Sequence, residues 1–553
     1  MTANPANGAT PAIGEIEFQI MWNRLIAVVE EQAQALRRTA FSPIVRESGD
    51  LSAGYFHPDG RMIAQAVTGT PGHVNTMAAS VLHFLRLFPA RSMCEGDVFI
   101  TNDPWMGTGH LHDFVAVTPA FYKGTMVGLF ASTCHFMDVG GIGFGPDGRD
   151  VFEEGFYVPP TALIAAGEIN QTLISLARAN SRYPAEFEGD LMSLVACNQI
   201  GVNRLTDMLD EFDLTDLTPL CDQIVSRSRQ AALKAIAALP KGMAEAEMVM
   251  DGYDKPVKLR ARTEISADHI FVDFTGTSGL SARGINVPIS YAQAYSTYAL
   301  ACALFPEVPN NSGSLSVVTV TAPADTIVNA LRPAPVSSRH VIGQMLPDVV
   351  YGCLAQLVPE NVLAEGASAL WNLILEDAHD ACLTQGITST RRFSALSVQT
   401  GGTGARSRLD GLNATAFPSG VSGVPVEILE TLTPLIFWRK ELRSGSGGDG
   451  EFRGGLGQSI EIGHREGHPF YIYAALDRIE NPARGRFGGE HGAPGVVALK
   501  SGGKLKGKGK QIIPAGDRLL VETPGGGGYG HPENRSIEHR KADLRNELTK
   551  RND

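Results

Sequence analysis

Apolar side chains recur at every third or fourth position between residues 15 and 39, which predicts an amphipathic helix. Arg37 and Arg38 lie in its last turn, where positive charge is favourable. Two strand-like runs then flank His57-Pro58-Asp59-Gly60, a sequence typical of a hairpin turn. A second helical pattern covers residues 74–88. The chain is therefore expected to begin with a helix, a hairpin and another helix.

Short apolar runs of the kind that form strands follow the second helix. We expect these strands at about 97–101, 113–118, 126–134 and 151–158. The pattern becomes mostly helical over 185–240 and returns to strands from about 244. Helical spacing is found again at 288–304 and 340–377.

The last third of the chain, from about 390 to 530, is Gly-rich and strand-like. Together the segments predict an α+β protein, a large multi-layer body with mixed and antiparallel sheets. Its N-terminal part is expected to be helical and its C-terminal part Gly-rich and β-dominated. The expected divisions are a disordered leader (1–14), an N-terminal α/β domain with a metal site (15–240), a middle α+β domain (241–390), a Gly-rich β domain (391–532) and a charged tail (533–553).

Composition limits the classes of function. Hydrophobic residues make up 43% and charged residues 19%, as in ordinary globular proteins. The net charge of −12 argues against a nucleic-acid binder, which would carry a basic face. The seven cysteines are odd in number and form no C-x-x-C motif, which favours a reducing compartment. No signal-peptide pattern and no apolar run of about 20 residues is present, so we expect a cytoplasmic protein that does not cross a membrane.

Imidazole and carboxylate side chains are concentrated in one stretch, around two strand ends and the loops that follow them. They are Asp103, His110, His112, Asp113, His135 and Asp138. These groups are the ligands that divalent transition metals prefer. The stretch contains two H-x-x-D pairs, which give more ligands than one metal needs, so some would only orient the others. The alternative is that they are ordinary loop and core residues.

The glycine motifs do not indicate a nucleotide site. The G-x-G-x-x-G matches at 143–148 and 525–530 do not open a helix, as a dinucleotide site requires. The stretch Gly502–Lys508 lacks the Ser or Thr that would bind magnesium. If the reaction needs ATP, the nucleotide is expected on another chain. The glycines after Arg453 have two interpretations, a close backbone approach to a partner or substrate phosphate, or simple turns.

The acidic and histidine cluster, with several later segments, resembles the hydantoinase B/oxoprolinase family over about residues 15–530. The matching segments are Asp97-Val98, Thr101-Asn102-Asp103-Pro104, His110–Asp113, His135–Gly141, Asn310-x-x-Gly313-Ser314, Pro425-Val426-Glu427, Arg453–Gly457 and Thr523–Gly530. In this family the B chain works with an A chain of the actin/hexokinase-like ATPase type. That A chain binds ATP and phosphorylates the amide or carbonyl oxygen of the substrate.

The resemblance implies roles for particular residues. It makes Asp103, His110, Asp113, His135 and Asp138 the candidate ligands of a zinc, manganese or iron ion. A second group would line the pocket or take a proton: Glu47, Asp50 and His73. Solvated or helix-capping roles are the alternative for that second group. The family usually reads Thr-His-Leu-Pro-Asp where this chain reads Gly109-His110-Leu111-His112-Asp113, so His112 is an additional imidazole.

The resemblance implies the B subunit of an ATP-dependent cyclic amide hydrolase that opens a hydantoin, 5-oxoproline or lactam ring. Its partner would be an A-type ATPase carrying ATP and Mg, in an A₂B₂ or larger assembly. One alternative is a subunit of an ATP-dependent ketone carboxylase of the acetone or acetophenone type. A second alternative is a non-catalytic scaffold subunit.

Overall fold

The computed structural model describes residues 14–68, 70–368, 370–384, 386 and 392–549. The leader expected at 1–14 lies, except for Gly14, outside the described residues, as does the end of the tail from residue 550. Within the described ranges, no helix combines the length and the apolar character that crossing a bilayer requires.

A seven-stranded antiparallel sheet forms the centre of the N-terminal part, in the order β2-β1-β5-β4-β3-β6-β7. Its strands are β1 Leu51–Phe56, β2 Met62–Gln65, β3 Val98–Thr101, β4 Asp113–Tyr122, β5 Thr125–His135, β6 Thr161–Ala165 and β7 Glu168–Ile169. The helices of this part are α1 Glu15–Thr39, α2 Pro43–Arg46, α3 Pro71–Leu87, α4 Gln171–Asn180, α5 Pro184–Glu211 and α6 Thr218–Ala237. Helices α1 and α5 pack on one face of the sheet and α3 packs on the other, so both faces are buried.

The middle part joins a small mixed sheet to a helical layer. Strands β8 Gly242–Met250, β9 Val257–Ile265, β10 Ile270–Asp273 and β11 Val318–Thr321 pair in the order β11-β10-β9-β8, and only β10 and β11 are parallel. The helices are α7 Ile289–Leu304, α8 Ser312–Leu315, α9 His340–Gly343 and α10 Leu346–Leu354. Sheet and helices share one apolar core.

Two four-stranded antiparallel sheets form a sandwich in the C-terminal part. The first has the order β13-β12-β16-β18, and the second has the order β14-β15-β19-β17. Their strands are β12 Leu370–Asp377, β13 Ser394–Thr400, β14 Leu435–Leu442, β15 Gln458–His464, β16 Phe470–Ala475, β17 Val496–Leu499, β18 Lys508–Ile513 and β19 Arg518–Glu522. The helices are α11 His379–Thr384, α12 Val426–Leu432 and α13 Ile537–Arg545. Side chains of both sheets meet in a third core.

These elements confirm the α+β architecture with mixed and antiparallel sheets, and they confirm the two N-terminal helices and the hairpin. The strand expected at 151–158 is wrong. That segment contains Gly155 and is held by single loop hydrogen bonds, such as Val158 N to the Asn102 side chain (2.7 Å), instead of a strand ladder. The helix expected over 340–377 is wrong beyond Leu354, because Pro359 interrupts it and the chain continues as strand β12.

Glycines of the C-terminal part let backbone segments pack directly against one another. A Cβ atom on Gly402 would lie 1.8 Å from the Gly455 carbonyl oxygen, and one on Gly526 would lie 1.9 Å from that of Thr403. The same segments are joined by hydrogen bonds, including Gly455 N to Thr403 O (2.8 Å) and Gly526 N to Gly455 O (3.0 Å). The glycines after Arg453 thus allow other backbone segments of the same chain to approach closely, and this packing, not a phosphate, accounts for them.

This packing predicts that Gly526→Ala destabilises the protein, because the new methyl group would overlap the backbone oxygen of Thr403. We expect the free energy of unfolding to fall by about 3 kcal/mol, the upper end of the usual cost of overpacking. Thermal unfolding measures the effect. Gly279→Ala is the control, because its nearest neighbouring atom is 3.8 Å from the new Cβ. Equal melting temperatures for the two variants would contradict the account.

Candidate metal centre

Two neighbouring strand ends bring the central residues of the site together. Strand β4 begins at Asp113, strand β5 ends at His135, and the antiparallel register places these two residues directly opposite each other. His110 lies in the loop before β4, after Gly109, which has a φ of 104° that other residues rarely adopt. The strand register and the loop therefore bring His135 and His110 to the carboxylate of Asp113.

One oxygen of the Asp113 carboxylate faces two imidazoles. His110 Nε2 lies 2.7 Å from Asp113 Oδ1, and His135 Nδ1 lies 3.2 Å from the same oxygen. One ligand atom of each of these three side chains lies within 4.8 Å of the other two, and all three side chains are buried. Among the described residues this is the one group of three or more that meets that criterion.

The second oxygen of Asp113 is bound by positive and hydroxyl groups. His73 Nε2 lies 2.8 Å from Oδ2, Thr108 Oγ1 donates a hydrogen bond to it (2.8 Å), and the Arg339 guanidinium also contacts it. Arg339 Nε in turn donates to the Thr108 carbonyl (2.7 Å). These contacts fix the orientation of the carboxylate and leave Oδ1 directed at His110 and His135.

The surroundings set the charge state of these groups. Burial alone would raise the pKa of Asp113, but neighbouring positive charge, including His73 and Arg339, holds that pKa well below its ordinary value. Burial opposes protonation of His73, yet Asp113 and Asp50 raise its pKa above the ordinary value. Burial, reinforced by Arg339, lowers the pKa of His110 to about 4. Near pH 7 the site therefore holds an ionised carboxylate beside a neutral His110.

The tautomer of His110 leaves a lone pair directed at the carboxylate. Its Nδ1 lies 2.8 Å from the Ser337 carbonyl oxygen, which can only accept, so we assign the proton to Nδ1. The lone pair of Nε2 then faces Asp113 Oδ1, and Nε2 has no hydrogen-bond partner among the described residues. Two electron pairs at this separation repel each other unless a cation lies beside them. The donor set therefore fits a divalent metal bound by His110, Asp113 and His135.

Asp103 and Asp138, the other two candidate ligands, lie outside this group. Asp103 accepts hydrogen bonds from Trp105 N (2.8 Å) and from the Tyr157 hydroxyl. Asp138 binds the Gly140 amide (3.2 Å) and the Arg182 side chain. Both carboxylates are thus engaged by other partners, some of them distant in sequence.

The three residues expected to line the pocket differ in position. Asp50 and His73 line the small cavity of about 20 Å³ beside Asp113, room for about one water molecule or ion. Asp50 accepts a hydrogen bond from Thr70 (2.9 Å) and lies 3.7 Å from His73 Nδ1. Glu47 does not line this cavity and instead lies 3.6 Å from Arg46.

His112 packs behind the group. Its ring stacks on His135, with a centroid separation of 5.6 Å and an interplanar angle of 13°, and it is fully buried. Neither ring nitrogen has a hydrogen-bond partner among the described residues. Burial lowers the pKa of His112 well below its ordinary value. The ring of Phe144 covers both imidazoles, with its centroid 4.8 Å from each.

Several residues of the site could not be identified from local sequence. Arg339 and His340 come from the middle part, and Asn372 comes from strand β12 in the C-terminal sandwich. His340 and Asn372 line the small cavity together with His110 and His135, and His340 Nε2 has no partner among the described residues. These positions carry no motif and are more than two hundred residues from Asp113 in sequence, so only the fold relates them to the cluster.

A larger cavity of about 240 Å³ adjoins the small one, and His135 and Phe144 line both. Its walls include Met137, Ile374 and Leu396. Polar side chains line it as well: Asp138, Arg182, Tyr183, Glu376, Asp377, Arg392, Ser394 and Tyr473. The space beside the candidate metal ligands can therefore accommodate a small organic molecule.

Glu154 is linked to His110 through the backbone of Ser337. Its Oε1 accepts a hydrogen bond from the Ser337 amide (2.8 Å), and the Ser337 carbonyl is the group that contacts His110 Nδ1. Glu154 is fully buried, and its other oxygen has no partner among the described residues. Burial raises the pKa of Glu154 to about 8.

Comparison with known proteins gives one family. The family model for hydantoinase B/oxoprolinase matches residues 14–532. An uncharacterised protein of Methanocaldococcus jannaschii is 30% identical over 543 residues, which cover 96% of this chain and 93% of the relative. The caprolactamase subunit beta of Pseudomonas jessenii is 27% identical, with 97% of this chain and 94% of the relative covered.

Two solved structures share the fold. The crystal structure of an ATP-dependent caprolactamase from Pseudomonas jessenii has a TM-score of 0.86 at 24% identity, covering 97% of this chain and 95% of that one. A nucleotide-free acetone carboxylase has a TM-score of 0.84 at 18% identity, covering 96% and 78%. Because a caprolactamase and a carboxylase both have this fold, the fold does not distinguish the two activities.

The ligand group predicts which substitutions release metal. In elemental analysis of the purified chain, we expect about one equivalent of a divalent metal in the wild type and a near-complete loss in His110→Ala. Asp103→Asn should retain the metal, because Asp103 lies outside the group. Equal metal loss in both variants would contradict this ligand assignment.

The burial of Glu154 predicts a pH-dependent stability. The carboxyl ionises near its ordinary pKa of 4.5 when unfolded and near 8 when folded, so between these values only the folded state keeps the proton. Stability that is present below pH 4.5 is therefore lost as pH rises towards 8. Relative to wild type, Glu154→Gln should gain roughly 3–5 kcal/mol of unfolding free energy between pH 5 and pH 8.

Urea unfolding at both pH values measures this difference, because other titrating groups cancel between the two proteins. Glu153→Gln is the matched control. Glu153 pairs with Arg149, which lowers its pKa, so its substitution should give no gain as pH rises. A pH-independent difference between Glu154→Gln and wild type would show that Glu154 is ionised in the folded protein.

Proposed function

Because the chain belongs to the hydantoinase B/oxoprolinase family, we propose that it is the metal-binding subunit of an ATP-dependent enzyme that opens cyclic amides. Hydantoins, 5-oxoproline and lactams are the proposed substrates. The proposed partner is an A-type ATPase subunit that binds ATP and Mg and phosphorylates the amide oxygen. We further propose an A₂B₂ or larger assembly in the cytoplasm. All seven cysteines are free, which agrees with a reducing compartment.

The observation that carries the proposal is the convergence of His110 and His135 on Asp113 Oδ1, beside a cavity large enough for a small ring. A zinc, manganese or iron ion held by these three residues would supply Lewis-acid chemistry and an activated water for attack on the substrate carbon. Amide resonance makes an unstrained ring resistant to hydrolysis. Phosphorylation of the substrate's amide oxygen by the partner subunit would remove that resonance.

The residues of this chain prepare the site for such a reaction. Arg339 and His73 hold the Asp113 carboxylate in one orientation, and the Ser337 carbonyl holds His110 in one tautomer. Burial of the whole group excludes bulk water and strengthens each charge interaction. Asp50 and His73 line the cavity and are the proposed groups for proton transfer. Glu47 does not line this cavity, and we assign it no direct step.

The proposal predicts the behaviour of His135→Ala in the reconstituted complex. The chain is co-produced with its A-type partner and supplied with ATP and a panel of hydantoins, 5-oxoproline and lactams. Wild type should form ADP and a ring-opened product together. His135→Ala should lower product formation at least about 100-fold, because a metal ligand is lost, whereas the exposed His539→Ala should retain full activity.

Other outcomes would support the alternative functions. ATP use that requires bicarbonate and a ketone would identify a carboxylase. Full ring-opening activity of His135→Ala would contradict a metal-dependent role for this chain and would favour a scaffold that only positions the ATPase subunit.

A further inference from the structure

The side chain of Asn372 is a buried carboxamide with an unused hydrogen-bonding group. Asn372 is 8% exposed, and its Oδ1 has no hydrogen-bond partner among the described residues. A buried acceptor without a partner is unfavourable. Asn372 lines the small cavity beside Asp113, so its carboxamide is available to a molecule that enters the site.

Strand β12, which carries Asn372, contributes to the walls of both cavities. Side chains alternate along the strand, and Trp371, Leu373 and Leu375 face the core of the sandwich. Asn372 on the opposite face lines the small cavity, and Ile374, two residues further along that face, lines the larger one. One face of β12 thus forms a continuous wall from the metal ligands into the larger cavity.

The size of this space suits a small ring. The larger cavity measures about 240 Å³, below the roughly 300–1,000 Å³ of sites for drug-sized ligands. Met137, Phe144 and Leu396 give it apolar walls near His135. A ring seated against Ile374 would direct its polar edge towards Asn372 and the metal ligands.

The chemistry of a carboxamide matches a cyclic amide in particular. A small ring forces its amide into the cis form, so that its N–H and C=O lie side by side. An open-chain amide is trans and presents these groups on opposite sides. A carboxamide also presents a donor and an acceptor side by side, so it can form two parallel hydrogen bonds with the cis amide. It can also donate to the ring nitrogen once the substrate oxygen is phosphorylated.

We propose that Asn372 recognises the cis-amide edge of the substrate and thereby selects cyclic over open-chain amides. The inference rests on the proposed function, since it presumes a cyclic amide substrate. Asn372 is a specificity residue on this account, not a metal ligand, so its substitution should leave metal binding intact.

The test compares binding of δ-valerolactam with binding of its N-methyl derivative, which keeps the ring and the carbonyl but lacks the N–H donor. Dissociation constants are measured by ligand-observed NMR on the full, zinc-loaded chain. Wild type should bind the unmethylated lactam about tenfold more tightly, since a buried hydrogen bond is lost with the methyl compound. Asn372→Leu should bind both lactams weakly and equally, with unchanged zinc content.

Gln399→Leu is the matched control. Gln399 is also a buried carboxamide with an unpartnered oxygen, and it lies on the adjacent strand, paired with Trp371. It lines neither cavity, so its substitution should preserve the tenfold preference. If Asn372→Leu does not fold or does not bind zinc, Asn372→Ala provides the same comparison.

The outcomes separate this inference from the proposed function. Lactam binding without a preference for the N–H compound, or a preference that persists in both Asn372 variants, would overturn the role of Asn372 and leave the proposed function standing. A wild type that binds no cyclic amide would overturn the role of Asn372 and the proposed substrate class together.

Discussion

The buried carboxylate of Asp113 is the interaction on which the site depends. An ionised carboxylate without solvent is unstable unless other charges and hydrogen bonds compensate for it. Here each oxygen has separate neighbours: Arg339, His73 and Thr108 at Oδ2, and two imidazoles at Oδ1. This division keeps the carboxylate charged and directs its free lone pairs into the space between His110 and His135.

The groups around this carboxylate come from all three parts of the fold. The carboxylate lies at the start of a strand in the N-terminal sheet, Arg339 belongs to the middle part, and Asn372 belongs to the sandwich. Side chains of β12 and β13 also extend the N-terminal core, where Ile374 and Leu396 pack with residues of the first sheet. The candidate metal-binding group is thus enclosed by elements that are distant in sequence, and it lies beside a small cavity.

Much of the fold could be predicted because local pattern and tertiary structure agree. Helix α1 was predicted to the residue, since its apolar stripe coincides with the buried face. The group His110, Asp113 and His135 was contained in the predicted set, because strand ends concentrate functional side chains. Asp103 and Asp138 were included for the same reason, yet proximity in sequence does not place their carboxylates at the same point. Roles of Arg339, His340 and Asn372 depend on long-range packing that no local pattern encodes.

The roles of the glycines in the C-terminal part also could not be predicted from local sequence. A glycine that permits a turn and a glycine that permits two backbones to touch look alike in sequence. Only the positions of the opposing segments, such as Thr403 beside Gly526, distinguish them.

Binding of one divalent metal ion by His110, Asp113 and His135 can be observed in crystals. An anomalous difference map from crystals of the metal-loaded chain, recorded on both sides of the metal absorption edge, would locate the ion. We expect a single strong peak between those three side chains. A peak beside Asp103 or Asp138 instead, or no peak in crystals whose protein contains stoichiometric metal by elemental analysis, would contradict it.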